Sequence, residues 1–261
     1  MELNFFKYQG TGNDFVIIDN RAKHIKLNKE QIAFLCDRRK GIGADGLMLL
    51  ENSSVADFKM VYYNADGAES TMCGNGGRCI VAFAKQLQLI KEDTTQFEAI
   101  DGLHEALLLD NNIIVLHMQD VSENNVINNH VEIQTGSPHY VTFIKDVHTI
   151  DVATEGRTIR NREAYPTGIN VNFVEVIDQN NLFVRTYERG VEDETMSCGT
   201  GVTAAAIAHS NTALGKFDID IKTLGGDLSV QFEKINPTNA INVWLKGPIQ
   251  LVFTGKITLH P

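Results

Sequence analysis

Short runs dominated by apolar residues recur along the chain, separated by Gly, Asn and Asp. Runs of this kind that are rich in β-branched and aromatic residues predict strands. In the first half they fall at Phe5–Tyr8, Phe15–Asp19, Leu47–Leu50, Phe58–Tyr63, Gln96–Ile100, His104–Leu109 and Ile113–Met118. In the second half they fall at Val131–Gln134, Tyr140–Ile144, Val171–Val176, Leu182–Tyr187, Phe217–Ile221, Leu228–Phe232 and Ile241–Leu245. Helices are predicted at Lys29–Arg38, from Gly74 to Leu89, and from Gly199 to His209, the last through the strong helix formers Ala204, Ala205 and Ala206.

Each half thus has many strands and one dominant helix, which a mixed sheet wrapped around that helix would bury. The polar stretch Gln119–His130 reads as a linker, giving domains 1–119 and 120–250. A last strand near Gln250–Phe253 or Ile257–Leu259 leaves open whether residues 251–261 return to the first half. The expected fold class is α/β of the α+β type, with two similar domains related by a pseudo-twofold axis.

A repeat underlies this symmetry. The segment from Tyr62 to Gly76 aligns with Tyr187 to Gly201 at an offset of 125 without a gap, matching Cys73-Gly74-Asn75-Gly76 to Cys198-Gly199-Thr200-Gly201. In this alignment Asn64 is the counterpart of Arg189. Weaker echoes join Gly12-Asn13-Asp14-Phe15 to Gly136-Ser137-Pro138-His139, and Asp101-Gly102-Leu103 to Gly225-Gly226-Asp227-Leu228. Three matches in one order point to a duplicated domain.

Composition narrows the function. The 261 residues carry a net charge of -10 and no basic run, so no nucleic-acid surface is expected. No apolar stretch reaches the roughly 20 residues needed to span a bilayer. The first residues lack the pattern of a signal peptide, so a cytoplasmic protein is expected. Cys36, Cys73, Cys79 and Cys198 form no zinc-type spacing, and no disulfide framework is expected. Cys36 and Cys79 read as small buried hydrophobes.

Cys73 and Cys198 differ, because each opens an apolar helix through Cys-Gly-x-Gly. A helix start has unpaired N–H groups and a partial positive charge, which stabilise a thiolate and hold a carboxylate. Two such starts facing across a pseudo-twofold cleft would place a thiol on each face of one carbon. That arrangement suits inversion of an α-carbon, one group removing the proton and the other returning one. Donors at the substrate carboxylate would stabilise the developing charge.

Other signals are weaker. Gly41-Ile42-Gly43-Ala44-Asp45-Gly46 spells G-x-G-x-x-G but precedes a strand, inverting the order of a dinucleotide site, so it reads as a turn. No His pair has metal-ligand spacing, and no metal is expected. His24, His148 and His260 read as surface residues. Arg189, beside Glu188, is a candidate for a second substrate carboxylate. Asn13, Asn64, Asn75 and Asn170 are candidates for reading ammonium and carboxylate groups.

Several ordered blocks then resemble diaminopimelate epimerases: Gly10-Thr11-Gly12-Asn13-Asp14-Phe15, Gly43-Ala44-Asp45-Gly46, Asn64-Ala65-Asp66-Gly67, Met72-Cys73-Gly74-Asn75-Gly76-Gly77-Arg78-Cys79, Gly168-Ile169-Asn170-Val171-Asn172-Phe173, Tyr187-Glu188-Arg189-Gly190 and Cys198-Gly199-Thr200-Gly201. The resemblance implies interconversion of LL- and meso-diaminopimelate, in lysine and peptidoglycan-precursor synthesis, by a homodimer without pyridoxal phosphate or metal. It implies that Cys73 and Cys198 are the acid–base pair, supported by His139 and Glu188. It assigns substrate contacts to Asn13, Asn64, Gly74, Asn75, Asn170, Glu188, Arg189, Gly199 and Thr200. Two departures stand out: Ser137 where many members have Asn, and Ala68 where many have Ser.

Three rivals remain at this level. A proline or hydroxyproline racemase of the same fold typically has His at the position of Asn75 and less need for Arg189. A Cys-dependent hydrolase or transferase would pair Cys73 or Cys198 with His139. A catalytically silent amino-acid binder would bind without proton exchange.

Overall fold

The computed structural model describes residues 1–127 and 129–259. Contacts divide the chain into two units, Met1–Leu116 together with the chain from Pro248 onward, and His117–Gly247.

In unit 1, β1 (Glu2–Gly10) and β2 (Asn13–Asp19) form an antiparallel hairpin. Its tip uses Thr11 and Gly12, both at positive φ (47° and 90°). Helix α1 (Lys29–Cys36) starts at a capping box between Asn28 and Gln31 and leads to β3 (Gly46–Glu51), parallel to β2. Strand β4 (Phe58–Asn64) runs antiparallel to β3, and the short β5 (Glu69–Ser70) folds back on β4. Helix α2 (Gly74–Gln86) follows. Then β6 (Thr94–Ala99) pairs parallel with β4, and β7 (Gly102–Leu109) and β8 (Ile113–His117) continue antiparallel. Helix α2 packs on β1, β2, β3 and β7, with Phe83 against the rings of Phe6 and Tyr8.

Unit 2 repeats this plan. Strand β9 (Asn124–Ile127) pairs with β10 (His130–Gln134), which turns into β11 (Pro138–Phe143). Helix α3 (Val152–Arg160) leads to β12 (Asn170–Val176), parallel to β11, and β13 (Asn181–Glu188) returns antiparallel. The short β14 (Asp193–Thr195) precedes helix α4 (Gly199–His209). Strand β15 (Gly215–Thr223) is parallel to β13, and β16 (Gly226–Lys234) and β17 (Ala240–Pro248) follow antiparallel. Helix α4 is apolar all round and is buried from Val202 through Ala208, as a helix enclosed by strands must be. The final strand, β18 (Gln250–Thr258), pairs with β1 as β9 pairs with β10.

Strand register corrects the ungapped alignment. Leu47 faces Tyr63 as Val171 faces Tyr187, Phe58 faces Phe97 as Leu182 faces Ile221, and Ala99 faces Gly102 as Thr223 faces Gly226. Each pair is offset by 124, one less than the cysteines, so the segment between β13 and α4 holds one extra residue. Tyr187 therefore corresponds to Tyr63, and the counterpart of Asn64 is Glu188 rather than Arg189. Side chains alternate faces along a strand, so a shift of one residue reverses which of them face the same way.

Some elements escaped the sequence pattern. Helix α3 has a signal that was legible: Asp151 caps Thr154 N–H, and Val152, Gly156 and Ile159 form the buried stripe. Strands β5 and β14 are too short to show periodicity. Residues 119–127 are more ordered than a linker. Val121 bridges to Ala240, and the four residues of β9 pair with β10, too short a run to show in the sequence pattern. His24 and His148 are exposed, whereas His260 lies outside the described residues.

Candidate active site

Cys73 is the N-cap of α2, in extended conformation, and its carbonyl accepts the Gly77 N–H at 2.7 Å. Glycines at 74, 76 and 77 leave the first turn nearly bare. Asn75, fully buried, donates through Nδ2 to Asn13 Oδ1. Asn13 in turn donates to Asp45 Oδ2 at 2.9 Å. Asp45 belongs to the Gly-rich turn before β3, so that turn serves to hold Asn13. Asp14 anchors the same corner, bonded to Lys7 at 2.8 Å and to both terminal nitrogens of Arg38 at 2.7 and 2.8 Å. Asn64 ends β4 at an exposed tight turn closed by Gly67 at φ 83°.

One turn into α2 lies Arg78, 0% exposed. Its side-chain hydrogen bonds go to neutral acceptors: Asn75 Oδ1 at 2.9 Å, Thr11 Oγ1 at 3.1 Å and Gly74 O at 3.3 Å. Its Nε finds no acceptor among the described residues. Burial lowers its pKa to about 10, so it stays cationic at neutral pH. This charge adds to the positive end of the helix at the turn that carries Cys73.

In unit 2, Cys198 is the N-cap of α4, 7% exposed, and its carbonyl accepts the Val202 N–H at 2.9 Å. Its Sγ lies 3.4 Å from Thr200 Oγ1. Thr200 Oγ1 is 2.9 Å from His139 Nε2, and His139 Nδ1 is 3.1 Å from Asn172 Nδ2. Burial first, and then the charge of Arg189, hold His139 down to a pKa of about 3, so it is neutral. Asn170 donates to Ser137 Oγ at 2.8 Å and accepts the Arg189 N–H at 2.8 Å. Ser137 thus enters this cluster as a hydroxyl acceptor. The Arg189 guanidinium bonds to Thr167 O at 3.3 Å, and Glu188 accepts from Thr195 Oγ1 at 3.1 Å. Both ring nitrogens of His139 are engaged by Asn172 and Thr200, which disfavours a hydrolase in which this His directly deprotonates a cysteine.

The comparisons agree with the motifs. The family model described as diaminopimelate epimerase matches residues 5–122 and 131–252. The chain belongs to the diaminopimelate epimerase family. The Flavobacterium psychrophilum protein named diaminopimelate epimerase is 54% identical, covering 98% of this chain and 100% of that one. Among solved structures, a Bacillus anthracis phenazine biosynthesis protein of the PhzF family superposes with a TM-score of 0.75 at 15% identity, covering 99% and 100% of the two chains. A hydroxyproline epimerase from Agrobacterium vitis, with bound trans-4-hydroxy-L-proline, gives 0.69 at 14%, covering 98% and 92%. At such identities the two structures show a shared fold. No helix among the described residues is long and apolar enough to cross a membrane.

The repeated Cys-Gly-x-Gly of this family member is not used identically in the two units. A Cβ at Gly201 would sit 2.3 Å from Asn172 Oδ1, inside contact distance. A Cβ at Gly76 would meet only side-chain atoms, the nearest Met48 Sδ at 3.4 Å, an ordinary contact. Gly201→Ala is therefore expected to destabilise by about 1–3 kcal/mol through forced repacking. Gly76→Ala should be neutral or stabilising by up to about 1 kcal/mol, since it lowers the entropy of the unfolded chain. Urea melts of the two variants check this, and equal stabilities would contradict it.

Sequence reasoning passed over Arg78, Thr11, Asp45 and Asn172 as participants. Arg78 and Asn172 stand inside the quoted motifs, yet their burial was not legible, because polar residues are expected at the surface. A useful signal was present for Asn172: it occupies a core-facing slot in the apolar run Ile169–Val174.

Proposed function

We propose that the protein interconverts LL- and meso-diaminopimelate, with Cys73 and Cys198 acting as thiolate and thiol on opposite faces of the α-carbon. One thiolate removes the α-proton, the other thiol delivers a proton to the opposite face, and the two sulfurs exchange protonation states. The backbone N–H groups at the starts of α2 and α4 receive the substrate carboxylate and the charge that develops on it. Arg189 receives the distal carboxylate, and Asn13, Asn64, Asn75, Asn170, Glu188 and Thr200 orient the rest. The reading places the enzyme in lysine and peptidoglycan-precursor synthesis, in the cytoplasm, as a homodimer that uses protein groups alone.

The observation that carries this reading is positional. Family membership apart, two units with the same order of strand pairings each place a cysteine at the N-cap of the same helix. A single nucleophile would need only one of them.

Proton exchange in D₂O followed by NMR tests the reading. Deuterium is expected at the α-carbon of diaminopimelate, with inversion, and none in proline. Exchange with proline alone would move the protein to the racemase reading, and exchange with neither would sink the two-thiol mechanism.

A further inference from the structure

Hydrogen-bond chemistry gives the cluster around Cys198 a direction. Asn172 Nδ2 lies 3.1 Å from the backbone carbonyl of Tyr140, which can only accept. That end of the amide is therefore the NH₂, and the opposite oxygen accepts from Thr186 Oγ1 at 3.0 Å. The second hydrogen of the NH₂ goes to His139 Nδ1, which must present a lone pair. Because His139 is neutral and fully buried, its single proton sits on Nε2. Nε2–H then donates to Thr200 Oγ1, and the one hydrogen of that hydroxyl is left for Cys198 Sγ. The relay is braced at both ends. Thr135 Oγ1 donates to Thr200 O at 2.8 Å, and the missing side chain of Gly201 makes room for Asn172.

We propose that Asn172 is a positioning residue: by fixing the tautomer of His139 it turns the Thr200 hydroxyl hydrogen onto Cys198, favouring the thiolate of that cysteine. The proposal rests on the two-thiol reading and adds that the two sulfurs are unequal. In unit 1 the positions matching Asn172 and His139 at an offset of 124 are Met48 and Phe15, which have no such donors or acceptors, and Thr200 is matched by Asn75. The relay exists on one side.

Alkylation by iodoacetamide tests it in the full-length, reduced protein, with the rate at Cys198 and at Cys73 followed against pH by peptide mass spectrometry. Thr200→Val removes the hydroxyl, and Thr200→Ser restores it. Asn172→Asp offers His139 Nδ1 an acceptor, reversing the tautomer and drawing the Thr200 hydrogen towards Nε2. Glu188 and Arg189, the charged groups of this cluster, are unchanged in every variant. Thr200→Val and Asn172→Asp should slow alkylation of Cys198 near neutral pH by about tenfold, one unit in its midpoint, as loss of a hydrogen bond to a charged acceptor implies. Thr200→Ser should behave as wild type, and the Cys73 profile should stay in place throughout. An unmoved Cys198 profile in both Thr200→Val and Asn172→Asp, or equal movement at Cys73, would overturn the proposal. Deuterium exchange into diaminopimelate on the wild-type sample separates the two ideas. Exchange with an unmoved Cys198 profile removes the relay alone, while a shifted profile without exchange removes the epimerase reading and leaves the relay.

Discussion

Replacing either cysteine, Cys73→Ala or Cys198→Ala, is expected to lower epimerisation of diaminopimelate by at least about 10³-fold, within the range for loss of an essential acid–base group. Without one thiol there is no group to take or return the proton on that face. The fold should survive. Neither cysteine makes a side-chain capping bond at its helix start, so alanine removes a sulfur without uncapping the helix. Circular dichroism and thermal melts would check the fold, and NMR the turnover. Near-wild-type turnover in either variant would end the two-base account.

The second large effect is expected at Asp14, in stability. Its carboxylate bonds Arg38 and the buried Lys7, which is 5% exposed, and accepts the Asp45 N–H at 3.1 Å. Burial alone would raise its pKa, but the hydrogen bonds and charges of Arg38 and Lys7 outweigh it and bring the value down to about 2. Asp14→Asn leaves the Lys7 ammonium buried without its carboxylate, a defect that costs about 3 kcal/mol or more. The pH dependence follows from the depressed value. An unfolded Asp titrates near ~3.9, so this carboxylate contributes its full stability above that pH and loses it as pH falls through about 2. Urea melts of wild type and variant should differ at pH 7 and converge between about pH 4 and 2. Equal stability at pH 7 would refute the assignment. Activity should fall too, because Asp14 steadies Asp45, Asp45 holds Asn13, and Asn13 holds Asn75 beside Cys73.

The charged residues of this network show how far a sequence can be read. Lys7, Asp14, Arg38 and Asp45 lie on four different segments, and nothing in their spacing announces an ion network. The Gly41–Gly46 turn was legible as a turn, because a strand follows it. Its role became visible only when Asp45 was found bonded to Asn13. Likewise nothing in the residues around His139 shows what its ring faces, and the structure sets its two nitrogens against Asn172 and Thr200.

Local chemistry in the chain was enough to fix most of the longer elements, the helix starts at Cys73 and Cys198, and the duplication behind them. Apolar β-branched and aromatic runs, helix propensity and glycine at a helix start act over a few residues and leave a direct trace in the sequence. The tertiary structure decided what depends on distant partners. It set the strand register that makes Glu188 the counterpart of Asn64 in the repeat, and it joined β18 to β1 in the place that β9 takes beside β10. It also buried Arg78 of α2 and gave the relay to Cys198 its direction. Such features arise from hydrogen bonds and packing between segments far apart in the chain, where each donor's direction is set by an acceptor that sequence proximity does not reveal.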